Sequence, residues 1–182
     1  KANTQVTEWP VYHGSLLNTE HMVLNTTAGK VADAAYWNST TATSTVFSLG
    51  ASTNTNNTNG MLAYCFAEKE GFSKFGSYTG NGNADGPFIW CGFRPKFVLV
   101  KSSTAIDDWR VYDGRRPGYN VQGGTLLANT NGAETTVAEV DLLSSGFKLR
   151  ITTTPNAAQT YLFAAFAEFP FGGIGTTQGK AR

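Results

Sequence analysis

The feature that most constrains the fold of this chain is an internal duplication at a fixed distance of 100 residues. Six residues scattered through 1–14 recur in the same order through 101–114. Nine more residues within 44–68 recur at the same distance within 144–168. Between these blocks the register slips and then recovers, as surface connections between conserved elements allow. Self-similarity of this length predicts two related structural modules rather than one irregular domain.

The two modules are not equally complete in sequence. We place the first at residues 1–72 and the second, with a C-terminal tail, at residues 73–182. The second module carries a stretch at 74–100, ahead of Lys101, for which the first module has no counterpart. We therefore expect the first module to lack its N-terminal strands. These strands would either precede Lys1 in a longer parent chain or come from a neighbouring chain.

The local patterns indicate an all-β fold. Residues 95–101 form a short apolar run with β-branched side chains, and residues 109–113 and 146–151 alternate apolar with polar side chains, as half-buried strands do. The repeated segments 61–68 and 161–168 are compatible with a short helix, but strand is favoured because they lack capping residues. Their equivalence predicts that Phe66 and Phe166 are both buried. Threonine favours strands, and asparagine and glycine favour turns. The expected architecture is two antiparallel β-sandwich-like modules.

The charge balance excludes several classes of partner. The chain has 14 Lys and Arg against 13 Asp and Glu, and its charged fraction of 15% is low, so electrostatic capture of nucleic acid or an anionic membrane is not expected. The longest apolar run, Tyr161–Ala167, is far shorter than the roughly 18 residues of a membrane helix, so no membrane insertion is expected. Cys65 and Cys91 lie in apolar runs without a CxxC pair. They are predicted to be buried free thiols, as in proteins that mature in a reducing cytosol.

Residues for hydrolytic chemistry are few. His13 and His21 are the only histidines, and neither has metal-ligand spacing. No GxSxG motif marks a nucleophile. Glycosidase carboxylates could be proposed at Glu68 with Glu168, or at Asp107, Asp108 and Asp113. The repetition of Glu68 and Glu168 at equivalent strand ends favours a structural role. We therefore expect no enzymatic activity, no catalytic residues and no cofactor.

One loop has an arrangement of oxygen atoms that could hold a metal. Asn81, Asn83 and Asp85 alternate with small residues, as ligands do in the first half of an EF-hand loop. Gly92 stands where the bidentate glutamate of such a loop would be. A β-turn accounts for the same residues, and no metal site is predicted.

Aromatic residues beside polar ones suggest a surface for sugars, whose apolar faces stack on aromatic rings. The densest such group in the sequence comprises Trp109, Tyr112, Asp113, Arg115 and Arg116. Adjacent residues of a strand point to opposite faces, so Trp109 and Tyr112 cannot both face solvent without a bulge, and core packing of Trp109 is the competing interpretation. A second candidate is an exposed loop at Tyr36 and Trp37.

Several longer motifs resemble a repeated domain of tailed-bacteriophage virion proteins, and the resemblance covers nearly the whole chain. The residues that carry it lie at 63–68, 70–88, 92–95, 145–150 and 166–171. In that family the domain usually forms the C-terminal part of a longer tail-fibre or tail-associated protein, often after a concanavalin-like or SPRY-like β-sandwich. The resemblance implies an incomplete N-terminus and transfers no catalytic residues.

The resemblance implies a structural virion protein that is assembled in the host cytoplasm and lies on the tail or particle surface. Its expected partners are other tail proteins, a host-surface glycan or receptor, and copies of itself, most simply as a homotrimer. A capsid decoration or head-fibre protein is the alternative. A polysaccharide depolymerase is the third, and it would need a cleft with paired carboxylates.

Overall fold

The computed structural model describes residues 1–2, 6–116 and 119–169. Within these ranges the protein is all-β and contains no helix, which confirms the predicted fold class. No helix of the described part could cross a membrane. The C-terminal tail beyond residue 169, including the end of the phage-like motif at 166–171, lies outside the described residues.

In the described residues, eleven strands form three antiparallel sheets. In chain order the strands are β1 (Pro10–Val11), β2 (Glu20–Val23), β3 (Val31–Ala32), β4 (Ser73–Thr79), β5 (Phe88–Trp90), β6 (Pro95–Ser102), β7 (Arg110–Asp113), β8 (Thr125–Leu127), β9 (Val140–Leu143), β10 (Gly146–Leu149) and β11 (Thr160–Ala167). The sheet orders are β1-β2-β3, β5-β10-β9 and β4-β11-β6-β7-β8. The strands predicted at 95–101, 109–113, 146–151 and 161–168 correspond to β6, β7, β10 and β11.

The second module is a β-sandwich. The five-stranded sheet turns Val98, Val100, Tyr112, Tyr161 and Phe163 towards the sheet β5-β10-β9, and all of them are buried in one core. Facing side chains of two packed sheets interdigitate in this way over a layer about 10 Å thick. The partners from the three-stranded sheet include Ile89, Leu142, Phe147 and Leu149.

The first module covers the opposite face of the five-stranded sheet. Leu16 and Met22 pack there against Trp109 and Leu162, with Leu99 at the margin. The five-stranded sheet is therefore apolar on both faces, and this explains why β6 and β11 read as almost continuous apolar runs.

Local contacts support the predicted duplication. The backbone N–H of Trp9 donates to Asn25 Oδ1 at 2.9 Å, and that of Trp109 donates to Asn129 Oδ1 at 2.8 Å. The carbonyl of each tryptophan accepts a second bond, from the N–H of Leu24 and of Ala128 respectively. The β1–β2 and β7–β8 pairs thus share one pattern of bonds, while equivalence of the complete modules stays a prediction.

The strand predicted over 61–68 was wrong. Met61 forms only an isolated bridge with Ala2, and 62–68 lie exposed in irregular conformation. Its counterpart β11 is paired on both edges, by β4 and β6, and an extended segment without such partners does not form a ladder. Phe66 is consequently 67% exposed rather than buried. Cys65 is exposed too, contrary to expectation, whereas Cys91 is buried, and both thiols are free.

Candidate ligand-binding surface

The aromatic residues expected to bind sugars are buried in the structure. Trp109 lies in the core between the modules, where its indole Nε1–H donates to the carbonyl of Val23 at 3.0 Å. Tyr112 lies in the sandwich core, fully buried. Both rings therefore belong to the protein core, in agreement with the interpretation that Trp109 packs in the core.

Tyr36 and Trp37 are also buried, although they lie outside any strand. The Tyr36 ring stacks on His21 with 3.5 Å between ring centroids, and its hydroxyl donates to Glu8 at 2.9 Å. The Trp37 indole donates to the carbonyl of Glu20 at 3.1 Å. These contacts hold the long loop after β3 against β2, so neither ring is available to a ligand.

The polar members of the same group stay at the surface. Asp113 accepts the backbone N–H of Arg115 at 2.9 Å, which closes a turn after β7. Arg115 is exposed, and Arg116 forms a surface ion pair with Glu134. Because the rings of Trp109 and Tyr112 are buried, neither can stack on a ligand beside these charges.

The asparagine-rich loop uses its oxygen atoms within the protein. Asn81 Oδ1 accepts from the N–H of Asn83, and Asn83 Oδ1 accepts from the N–H of Asp85. The buried Asn156 donates to Asn81 Oδ1 at 3.1 Å and to the carbonyl of Asn83 at 2.7 Å. The oxygens thus stabilise successive turns instead of converging on one point. Across the described ranges no group of three or more His, Cys, Asp or Glu could hold a metal.

A buried carboxylate, Glu139 in the loop before β9, joins that loop to strands β7 and β8. Glu139 accepts from the Tyr112 hydroxyl at 2.5 Å, from the Thr125 hydroxyl at 3.1 Å and from the Arg110 guanidinium at 3.0 Å. Arg110 also reaches Asp107 at 3.4 Å. Burial, and then the Glu139 charge, raise the pKa of Tyr112 well above its ordinary value. Every carboxylate oxygen of Glu139 is engaged, and this is the pattern of a structural network.

A second aromatic group, which the sequence reasoning missed, does face solvent. Phe88 and Trp90 alternate with the buried Ile89 on β5 and are 46% and 62% exposed. Across the sheet, Phe88 is opposite Lys148 and Trp90 is opposite Gly146. Residues opposite each other in an antiparallel pair share a face. The outer face of the sheet β5-β10-β9 therefore carries two aromatic rings, which we call the aromatic surface.

Two glycines leave room for these rings. A Cβ atom at Gly92 would lie 3.2 Å from the Trp90 ring, and φ at this residue is +80°, a conformation that glycine adopts without strain. A Cβ atom at Gly146 would lie 3.0 Å from the Phe88 ring and 2.0 Å from the carbonyl oxygen of Ile89. Larger residues at these positions would push the rings and strands apart, so the absence of side chains there shapes the aromatic surface.

Two ion pairs lie on the same face, towards the Phe88 end of β5. Lys148 Nζ is 2.7 Å from Asp85 Oδ1, and Arg150 Nε is 3.3 Å from Asp141 Oδ2. Asp141 is opposite Lys148 across the sheet. The hydrogen bond from Lys148 lowers the pKa of the exposed Asp85 carboxyl. The face thus combines apolar ring surface with charged donors and acceptors in water.

The family comparison identifies a domain family and no described activity. A family model described as "Domain of unknown function (DUF7483)" matches residues 1–170. No curated protein and no solved structure matches the chain.

Proposed function

The chain belongs to the DUF7483 domain family, and for this member we propose a structural role in the virion of a tailed bacteriophage, with attachment to a host-surface glycan through the aromatic surface. The virion role is supported by the motif resemblance over most of the chain. Attachment is supported by a single observation, the pair of exposed rings at Phe88 and Trp90 with two ion pairs next to Phe88 on the same face.

The chemistry of the aromatic surface suits a sugar. The C–H face of a pyranose ring packs against an aromatic face, and Trp90 offers the larger one. Lys148 and Arg150 can donate to hydroxyl groups, and Asp85 and Asp141 can accept from them. An exposed apolar patch with a polar rim marks an interaction site more often than a scattered surface residue does. Rigid strands and the two glycines hold the rings in place before the ligand arrives, which limits the entropy lost on binding.

The proposal uses a different set of residues from the one that sequence reasoning favoured. Arg115 and Arg116 follow the end of β7, in the five-stranded sheet, whereas the aromatic surface lies on the sheet β5-β10-β9. We propose that the arginines contribute little to attachment and that self-association, most simply as a trimer, uses other faces of the protein.

Capsid decoration or a head fibre is the alternative role, and it needs no glycan. A depolymerase is a third, for which Asp107 and Glu139 would be the buried carboxylates to test. Both already contact Arg110. The position of the protein in an intact particle separates the first two roles: copies in multiples of three on the tail favour the fibre, and copies spread over the capsid lattice favour decoration.

The attachment proposal is tested by binding of bacterial surface polysaccharides, presented as an array, to the full chain. We expect Trp90→Ala to weaken binding about tenfold, since an aromatic contact contributes about 1.5 kcal/mol. Ile106→Ala is the matched control, because Ile106 is 82% exposed in the loop between β6 and β7. Equal binding by Trp90→Ala and the parent protein, or binding to no polysaccharide, would contradict the proposal.

A further inference from the structure

Residues 62–67, which we call the open segment, leave backbone groups and apolar side chains exposed together. Leu62, Tyr64 and Phe66 are 47%, 68% and 67% exposed. Within the described part of the chain, the backbone groups from Ala63 to Phe66 form no hydrogen bond. Unpaired backbone beside exposed apolar side chains is the usual signature of a segment ready to accept a β-strand.

Side-chain contacts nevertheless hold the open segment in position. The Tyr64 ring stacks on Trp9 with 6.2 Å between centroids. The Phe66 ring meets Phe166 edge to face at 5.7 Å, next to the five-stranded sheet. The open segment is thus held against both modules while its backbone between Ala63 and Phe66 stays unpaired.

Pairing along the open segment has already begun at one end. The N-terminal amine of Lys1 donates to the carbonyl of Leu62 at 3.1 Å, and the N–H of Leu62 donates to the carbonyl of Lys1 at 3.0 Å. Ala2 bridges Met61 in antiparallel orientation. In the second module Lys101 pairs with Leu162 and Ser102 with Tyr161. The two registers are the same, because adding 100 to the residue numbers of the first-module pairs gives the second-module pairs.

The second module shows how this register continues. Strand β6 runs back from Lys101 along β11 on one edge and along β7 on the other, so that Val98 lies between Ala165 and Tyr112. The first-module counterparts of β11 and β7 are the open segment and β1. Strand β1 pairs with β2 alone among the described strands. The first module therefore has both edges that a β6-like strand would pair with, and the edge of β1 lacks one donor, because Pro10 stands where β7 has Arg110.

We propose that the open segment and β1 together accept a β-strand that is continuous with the backbone of Lys1 and runs antiparallel to both. Its third residue before Lys1 would face Cys65 and Tyr12, as Val98 faces Ala165 and Tyr112. The proposal is independent of any role in a virion, because it depends only on register within this chain.

The required chemistry of the strand follows from β6. Val98 and Val100 are fully buried on one face of it, and Leu99 is half-buried on the other. The accepted strand therefore carries β-branched or aliphatic residues. Proline, which cannot donate to a ladder, is allowed only at its first position, as Pro95 is in β6. At its end lies a cavity of about 180 Å³ lined by Lys1, Ala2, Trp9 and Leu62. The counterparts of these four residues in the second module are all buried.

The test extends the full chain before Lys1 with a copy of residues 94–100 and follows amide hydrogen exchange. We expect exchange at residues 63–66 to slow at least about tenfold, which corresponds to about 1.4 kcal/mol of protection. The matched control carries the same extension with Val98→Pro and Val100→Pro in the added copy, and it should leave exchange unchanged. Residues 160–167 should stay equally protected in all three proteins, which shows that each is folded.

Any of three results would overturn the proposal. One is exchange at 63–66 that is equally fast with the extension and without it. The second is protection in the unextended protein that rises with concentration, together with a dimer mass by light scattering. The second result would make another copy of the chain the occupant of the open segment. Protection by the proline-containing extension would also count against strand pairing, because that extension can cover the segment without forming the ladder.

Discussion

The buried Glu139–Arg110 pair gives the sharpest stability prediction. In Glu139→Gln the side chain keeps its shape, and the Tyr112 and Thr125 hydroxyls can turn to accept from the new amide. What is lost is the charge in three hydrogen bonds. A hydrogen bond to a charged group contributes roughly 1 kcal/mol more than a neutral one. The expected loss is therefore about 3 kcal/mol, the lower end of what breaking a buried ion pair removes.

The measurement is the free energy of unfolding from urea titrations, with unchanged slopes required for comparison. Glu134→Gln is the matched control, since Glu134 also pairs with an arginine, but both side chains of that pair are 36% exposed against 5% and 15% for Glu139 and Arg110. Exposed pairs contribute about 0–1 kcal/mol. A loss below about 1 kcal/mol for Glu139→Gln, or equal losses for the two variants, would refute the reasoning that burial makes this network structural.

Three further outcomes are expected. Phe166→Ala should lower the free energy of unfolding by about 2–3 kcal/mol, because the half-buried Phe166 ring contacts Phe66 and other rings. Phe66→Ala should lower it by less than about 1 kcal/mol, because the Phe66 ring is mostly exposed. Equal losses for the two variants in denaturant titrations would contradict this. Burial lowers the pKa of Lys101 to about 8. As the pH rises, the folded protein loses this proton before the unfolded chain does, so the free energy of unfolding should rise between pH 8 and 9. Lys101→Met should remove that rise. Burial raises the pKa of Cys91 to about 12. The unfolded chain loses this proton at lower pH than the folded protein, so the free energy of unfolding should fall as the pH rises above about 9. Cys91→Ala should abolish that decrease.

Four strands of the second module, β6, β7, β10 and β11, could be predicted because each combines an apolar pattern with partners inside the same chain. Residues 95–101 and 161–168 are short apolar runs that pair with each other as β6 and β11. This pairing decides for a strand at 161–168, where the local sequence also allowed a short helix. The strand prediction for the similar run at 61–68 was wrong because a repeated sequence has the same side chains but not necessarily the same neighbouring strands. A strand exists only where another backbone is available to pair with it.

The candidate site was less predictable, since proximity of aromatic and charged residues in sequence does not distinguish core from surface. Trp109 and Tyr112 stand beside arginines, yet they point into two different cores on opposite faces of one sheet. Phe88 and Trp90 lie in a run that is apolar throughout. The alternation around Ile89 shows that two of the three residues share a face, but only the packing of β10 determines which face is buried.

The contact between the modules bears on how the protein unfolds. Leu16 and Met22 have their apolar neighbours Trp109 and Leu162 in the other half of the chain, and Trp109 and Lys101 add hydrogen bonds to the carbonyls of Val23 and Thr27. The boundary between the two modules near residue 72 therefore does not separate two independently unfolding units. A fragment limited to residues 73–182 would expose an apolar sheet face and tend to aggregate, whereas the whole chain should melt in a single transition.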